Sequence, residues 1–163
     1  GSAMEIGHLP VVPDGARCGC GRRGCLETVA SRLAIAGEAA QAAIRGEAPR
    51  LLELAGADLA RLKSGVLAQA IKGGDRVVEQ LVRRAAGWLG YGIAGVAHLL
   101  APDTVVLGGG LVEEFPALYL QEVEAALRAR GLPAFTDGLR LTVAALGADA
   151  VALGAAALAA EAA

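Results

Sequence analysis

Apolar residues recur at helical spacing over residues 26–44, and Gly46 and Pro49 end that pattern. A shorter helix is predicted over residues 66–71, with Ser64 as its cap and the Gly73-Gly74 pair as its close. Asp75 then stands at the N-cap position of a long helix. Its apolar positions Val77, Val78, Leu81, Val82, Ala85, Ala86, Leu89, Ile93, Val96 and Leu100 repeat at three and four until Pro102 stops them. The β-branched run Thr104-Val-Val-Leu107 predicts a strand that ends in Gly108-Gly109-Gly110. A helix over residues 115–130 follows, and the alternating residues 139–143 read as a second strand. The last helix, over residues 149–161, is almost wholly Ala and Leu, so burial of much of it is expected. Strand, helix, strand, helix at this spacing implies α/β packing with parallel strands. Two strands are too few for an independent sheet, so further strands are expected upstream.

Composition sharpens this picture. The 163 residues suffice for one domain with a core; hydrophobic residues make up 55% but aromatics only 3%. The core must therefore be Ala, Leu and Val, which suits closely packed helices. A net charge of −2, with no long run of either sign, provides no basic field for nucleic acid. Charge or glycine interrupts every apolar stretch before it could span a bilayer, and the N-terminus lacks a signal-peptide pattern. Three cysteines without such a signal fit a reducing cytoplasm. Gly1-Ser2-Ala3-Met4 reads as an expression scar. A chemistry-bearing motif would then begin almost at Glu5, so residues 5–163 are expected to be a fragment of a larger protein.

That motif is EIGHLPVVPDGARCGCGRRGCLE, residues 5–27, in which His8, Cys18, Cys20 and Cys25 follow H-x9-C-x-C-x4-C. Three thiolates with one imidazole form a common closed shell for tetrahedral zinc. Glycines at 19, 21 and 24 supply the tight backbone such ligands need. The loop has little to bury, so metal binding would supply its ordering free energy. A disulfide and unreactive buried thiols are the competing readings. Three cysteines cannot all pair, however, and a C-x-C bridge closes a strained ring.

The pattern E-x-G-H-x9-C-x-C-G-x2-G-C-x-E resembles the signature of the ROK family of bacterial sugar kinases and sugar-responsive transcriptional repressors. The likeness extends through CLETVAS, PDTVVLGGG and LGADAVALGAAALA, nearly the whole chain. It implies a helix-rich α/β fold, the C-terminal part of an actin-like ATPase (ribonuclease H-like) domain with an N-terminal zinc loop over residues 8–25. It also implies His8, Cys18, Cys20 and Cys25 as zinc ligands, and Glu5, His8 and Glu27 as sugar contacts. From the residues alone, Glu27 also reads as a first-turn glutamate favoured by the helix dipole, and Glu5 as a frayed terminal charge.

A lone GGG after a strand is most often a turn. It also stands at the sheet edge where α/β proteins bind ligands, and the resemblance assigns Gly108, Gly109 and Gly110 to ATP. No Gly-Lys-Ser/Thr follows, so the loop is not a P-loop. His98 reads as a structural histidine near a helix C-terminus, and Trp88 and Tyr91 as packing or oligomer contacts.

Two functions follow. One is the C-terminal domain of an ATP-dependent, glucokinase-like hexose kinase, with structural Zn2+ and with ATP and Mg2+ serving the parent protein. Its catalytic base is expected upstream, so the isolated piece should be inactive. The alternative is the effector-binding domain of a sugar-responsive repressor. The intact GGG favours the kinase, while a zinc-stabilised helical module serving only oligomer contacts is a blander third reading. A cytoplasmic homo-oligomer is expected, with no membrane and no nucleic acid bound through this domain.

Overall fold

The computed structural model describes residues 5–56, 58 and 60–161; the scar expected at Gly1–Met4 lies outside them. The helices are α1 (Glu27–Ala30), α2 (Arg32–Ile44), α3 (Pro49–Ala55), α4 (Ser64–Lys72), α5 (Arg76–Leu100), α6 (Gly110–Glu114), α7 (Pro116–Arg130), α8 (Pro133–Thr136) and α9 (Ala150–Glu161). The strands are β1 (Thr104–Leu107) and β2 (Arg140–Val143). They pair in parallel, with Thr104 opposite Arg140 and Leu107 opposite Val143.

Small side chains build the core, as composition demands. Helix α5 turns Val78, Val82, Ala85, Ala86, Ile93, Ala94 and Ala97 inward, against Ala36, Ala39 and Ala43 of α2 and Val123 and Leu127 of α7. Helices α5 and α7 come into close backbone contact at Gly90. A Cβ there would lie 2.5 Å from the Val123 carbonyl oxygen, a distance no side chain could occupy.

The helix expected over residues 26–44 is in fact two. Ser31 is extended, with φ −72° and ψ 154°, and its hydroxyl accepts the Ala34 N–H at 3.1 Å. A serine side chain that replaces the first helical hydrogen bond starts a new helix as readily as it continues one. Pro49 opens α3 where a stop was expected, because proline at the first turn loses no hydrogen bond and presets φ. Ser64 lies inside α4, whose cap is Lys63.

Asp75 precedes α5 as expected, but its side chain does not cap that helix. The buried carboxylate reaches back to α3, accepting the Arg50 N–H at 3.2 Å and the Leu51 N–H at 2.7 Å. It satisfies first-turn donors that α3 could not satisfy itself.

The expected burial of the last helix is not met. No residue of α9 is buried, and Val151, Leu153 and Leu158 are more than half exposed. A helix that is apolar all round needs a second layer packed over it, and the two-stranded sheet provides none.

The cysteine loop folds back on itself before α1. Isolated antiparallel bridges join Pro10 to Cys25 and Arg17 to Arg23. The Gly24 carbonyl accepts the N–H groups of Val11 and Val12 at 2.8 and 3.1 Å, and the Gly24 N–H donates to Ala16 at 3.0 Å. Gly24 has φ +72°, and a Cβ there would lie 1.7 Å from the Val12 carbonyl oxygen. Glycine is required on both counts.

Asp75→Ala should destabilise the chain by about 1–3 kcal/mol, the cost of stranding buried donors, seen as a lower urea midpoint. Gly24→Ala should open the loop, so that an aromatic disulfide reagent modifies Cys18 and Cys25 of the folded, metal-free protein. Gly19→Ala should leave both protected, because a Cβ at Gly19 meets nothing within 4 Å.

Candidate functional site

The loop brings four soft ligands to one point. One ligand atom from each of His8, Cys18, Cys20 and Cys25 lies within 4.8 Å of the other three. A single turn of 3-10 helix, Ile6–His8, delivers the imidazole. The Cys18 Sγ lies 3.7 Å from His8 Nδ1, and the Cys20 and Cys25 sulfurs are 3.6 Å apart. All three cysteines are free thiols. Tetrahedral zinc with Zn–S bonds of about 2.3 Å has ligand-to-ligand edges of about 3.8 Å, a size that these two separations match. Separations of this size are too long for S–S bonds, so the three thiols stand unpaired in this structure.

The local chemistry differs between the thiols. The Arg22 backbone N–H, followed by the neighbouring thiols and the Arg22 charge, holds Cys20 below the ordinary thiol range. Burial, reinforced by the two neighbouring sulfurs, pushes Cys25 up to about 11. A buried thiol of that kind becomes a thiolate only with a compensating cation beside it, as a metal ligand would be.

Glu27, the first residue of α1, sets its carboxylate 3.6 Å from His8 Nδ1 while remaining half exposed. It is therefore aimed at the edge of the cysteine cluster and open to solvent. Glu5 is exposed; its carbonyl accepts the His8 N–H at 3.0 Å, and its side chain makes no hydrogen bond among the described residues.

Gly108, Gly109 and Gly110 follow β1 and line a separate cavity of about 290 Å³. Ala30 and Arg32 border it from the α1–α2 junction, with Ser64 at the start of α4 and Tyr119 in α7. Burial pushes the Tyr119 phenol up to about 12, so it stays neutral there. Arg32, Ser64 and Tyr119 carry no sequence signal of a shared site; only the meeting of three helices brings them together. The cysteine cluster and the glycine cavity are thus joined by α1, which carries Glu27 at one end and Ala30 at the other.

The remaining residues singled out earlier have structural partners. His98, in the last turn of α5, accepts the Leu132 N–H at 3.0 Å and stacks edge-on against Phe135. Trp88 and Tyr91 pack edge to face at 5.7 Å, and the Arg130 guanidinium sits over Tyr91. Among the described residues, no helix is long and apolar enough to cross a membrane.

Comparisons with known proteins agree with this architecture. A family model described as "ROK family" matches residues 1–162. A glucokinase of Halalkalibacterium halodurans is 36% identical over 160 residues, covering 94% of this chain and 46% of that protein. The DNA-binding transcriptional dual regulator NagC of Escherichia coli is 31% identical over 139 residues, covering 85% of this chain and 32% of that one. In three dimensions, the ROK family glucokinase of Streptomyces griseus, solved with glucose and AMPPNP, matches with a TM-score of 0.77 and 34% identity, over 96% of this chain and 51% of that one. The chain spans about half or less of the length of the relatives it matches. Sequence and fold together establish that this chain belongs to the ROK family.

Proposed function

We propose that the chain is the C-terminal part of an ATP-dependent hexose kinase with an actin-like ATPase fold, and that its residues 8–25 form a structural zinc loop. The observation that carries this reading is the single turn α1, with Glu27 beside His8 at one end and Ala30 in the glycine cavity at the other. One helical turn advances about 5.4 Å, so a group held by Glu27 and a ligand seated on the glycines would be near neighbours.

His8, Cys18, Cys20 and Cys25 would hold the zinc, which supplies loop order and no step of the reaction. Glu27 and Glu5 would accept hydrogen bonds from sugar hydroxyls, with His8 as a third contact. Two carboxylates facing paired hydroxyls discriminate strongly against sugars lacking them. Gly108, Gly109 and Gly110 would admit the nucleotide close to the backbone. In phosphoryl transfer, positioning and charge neutralisation by Mg2+ carry most of the acceleration. The base that deprotonates the sugar hydroxyl is assigned to the parent protein outside residues 5–161.

A second reading, the effector domain of a sugar-responsive repressor, draws on the similarity to the transcriptional regulator. The glycine cavity favours the kinase, since a domain that only senses sugar has no need of a nucleotide seat.

Elemental analysis of protein prepared without chelator should find about one zinc per chain, and less than about half an equivalent would refute the Cys3His site. In the full-length parent, Glu27→Ala should weaken hexose binding by roughly tenfold or more, the loss of a charged-group hydrogen bond, while zinc content holds. Hexose-dependent ATP turnover by that parent supports the kinase. Sugar-dependent DNA binding without turnover supports the repressor.

A further inference from the structure

The four candidate ligands differ sharply in their access to solvent. Cys18 and Cys25 are 5% and 1% exposed, and His8 is half-buried, but Cys20 lies open at the surface. The backbone on each side of it is also open: a Cβ added at Gly19 or Gly21 would meet nothing within 4 Å. The Cys20 and Cys25 sulfurs lie 3.6 Å apart, and the Cys18 sulfur lies 3.7 Å from His8 Nδ1. An oxidant arriving from water would therefore meet one sulfur first. That sulfur has a buried one 3.6 Å away.

We propose that Cys20 is a modification site for hydroperoxides, at which oxidation forms a Cys20–Cys25 disulfide and releases the metal. The inference rests on the zinc reading above. A coordinating cysteine is already a thiolate, which is the nucleophilic form. The Cys20 sulfur attacks the peroxide; an S–O bond forms, the O–O bond breaks, and the departing oxygen takes a proton to leave as alcohol or water. Cys20 becomes a sulfenic acid, oxidised by two electrons as the peroxide is reduced. The Cys25 sulfur then attacks Cys20; an S–S bond forms, the S–O bond breaks, and hydroxide takes a proton to leave as water. The balance is two thiolates, one hydroperoxide and two protons giving one disulfide, one alcohol and one water.

Closing the two sulfurs from 3.6 Å to the ~2.05 Å of a disulfide requires a movement of about 1.5 Å. Gly21 of the intervening segment has open space around it, since a Cβ there would meet nothing within 4 Å. A single oxidation removes two of four ligands and leaves only His8 and Cys18. Glu27 then loses the fixed imidazole beside it, so peroxide would couple to sugar binding in the parent protein. Cys18 is a poor competitor for Cys20, being buried and joined to it only through a strained C-x-C ring.

The test uses the zinc-loaded chain, hydrogen peroxide, a chromogenic zinc chelator and peptide mass mapping. Substoichiometric peroxide with dimedone present should tag Cys20 alone. Excess peroxide without dimedone should release one zinc per Cys20–Cys25 disulfide, and thiol reductant with added zinc should restore the site. Cys20→His, which keeps a nitrogen ligand but no oxidisable sulfur, should release zinc at least about tenfold more slowly. First tagging at Cys18 or Cys25, a disulfide involving Cys18, or zinc retained after full oxidation would each overturn the inference while leaving the zinc reading intact. A chain that binds no zinc on direct titration would overturn both. Dimedone tagging needs no variant, so the proposal is tested even if Cys20→His fails to fold.

Discussion

Backbone-to-backbone contact at Gly90, where a methyl group would collide with the Val123 carbonyl oxygen, lets α7 lie flush against α5. Most of the molecule depends on that approach. With few aromatics, the core fills its volume by bringing helices close together, and alanine and glycine are the side chains that permit this. Leu26 packs on the same helix at Gly92 and anchors the end of the cysteine loop. Helix α7 leads through α8 to β2, which pairs with β1 and fixes where the glycine segment emerges. Both halves of the candidate site are thus referenced to one long helix.

The cysteine loop obeys a different constraint. Few of its side chains are buried, and backbone hydrogen bonds centred on Gly24 do the work that apolar burial does elsewhere. Hydrogen bonds of this kind add little net stability each, since water competes for every group. They can set a shape without strongly holding it. On the proposed zinc reading, the four side chains that converge within that shape would supply its ordering energy. On that reading its exposed sulfur would also be one of its supports.

Asp75 shows how a sound local reading can miss its target. A carboxylate just before a helix ordinarily caps it, and position 75 has that sequence context. The tertiary structure brings the start of α3 closer, with two backbone donors in better position, and the carboxylate serves that helix. Ser31 makes the complementary point. Its hydroxyl does what local chemistry permits, but no periodicity could show that it would break the helix there.

Several features were legible in the chain itself. The strand Thr104–Leu107, the long helix ending before Pro102 and the spacing of His8, Cys18, Cys20 and Cys25 depend on neighbours along the sequence, where period and ligand type act directly. Short helices starting at Pro49 and Gly110 were not legible, because one or two turns leave too little period to read. Nor was the exposure of α9, since composition states what a helix needs to cover but not whether a second layer is there. Only the tertiary structure decided that Glu27 faces His8, that Arg32, Ser64 and Tyr119 share a cavity with the glycines, and that one of three cysteines lies open to water. Those relations join residues far apart in sequence, and they are fixed by how helices pack rather than by any local preference.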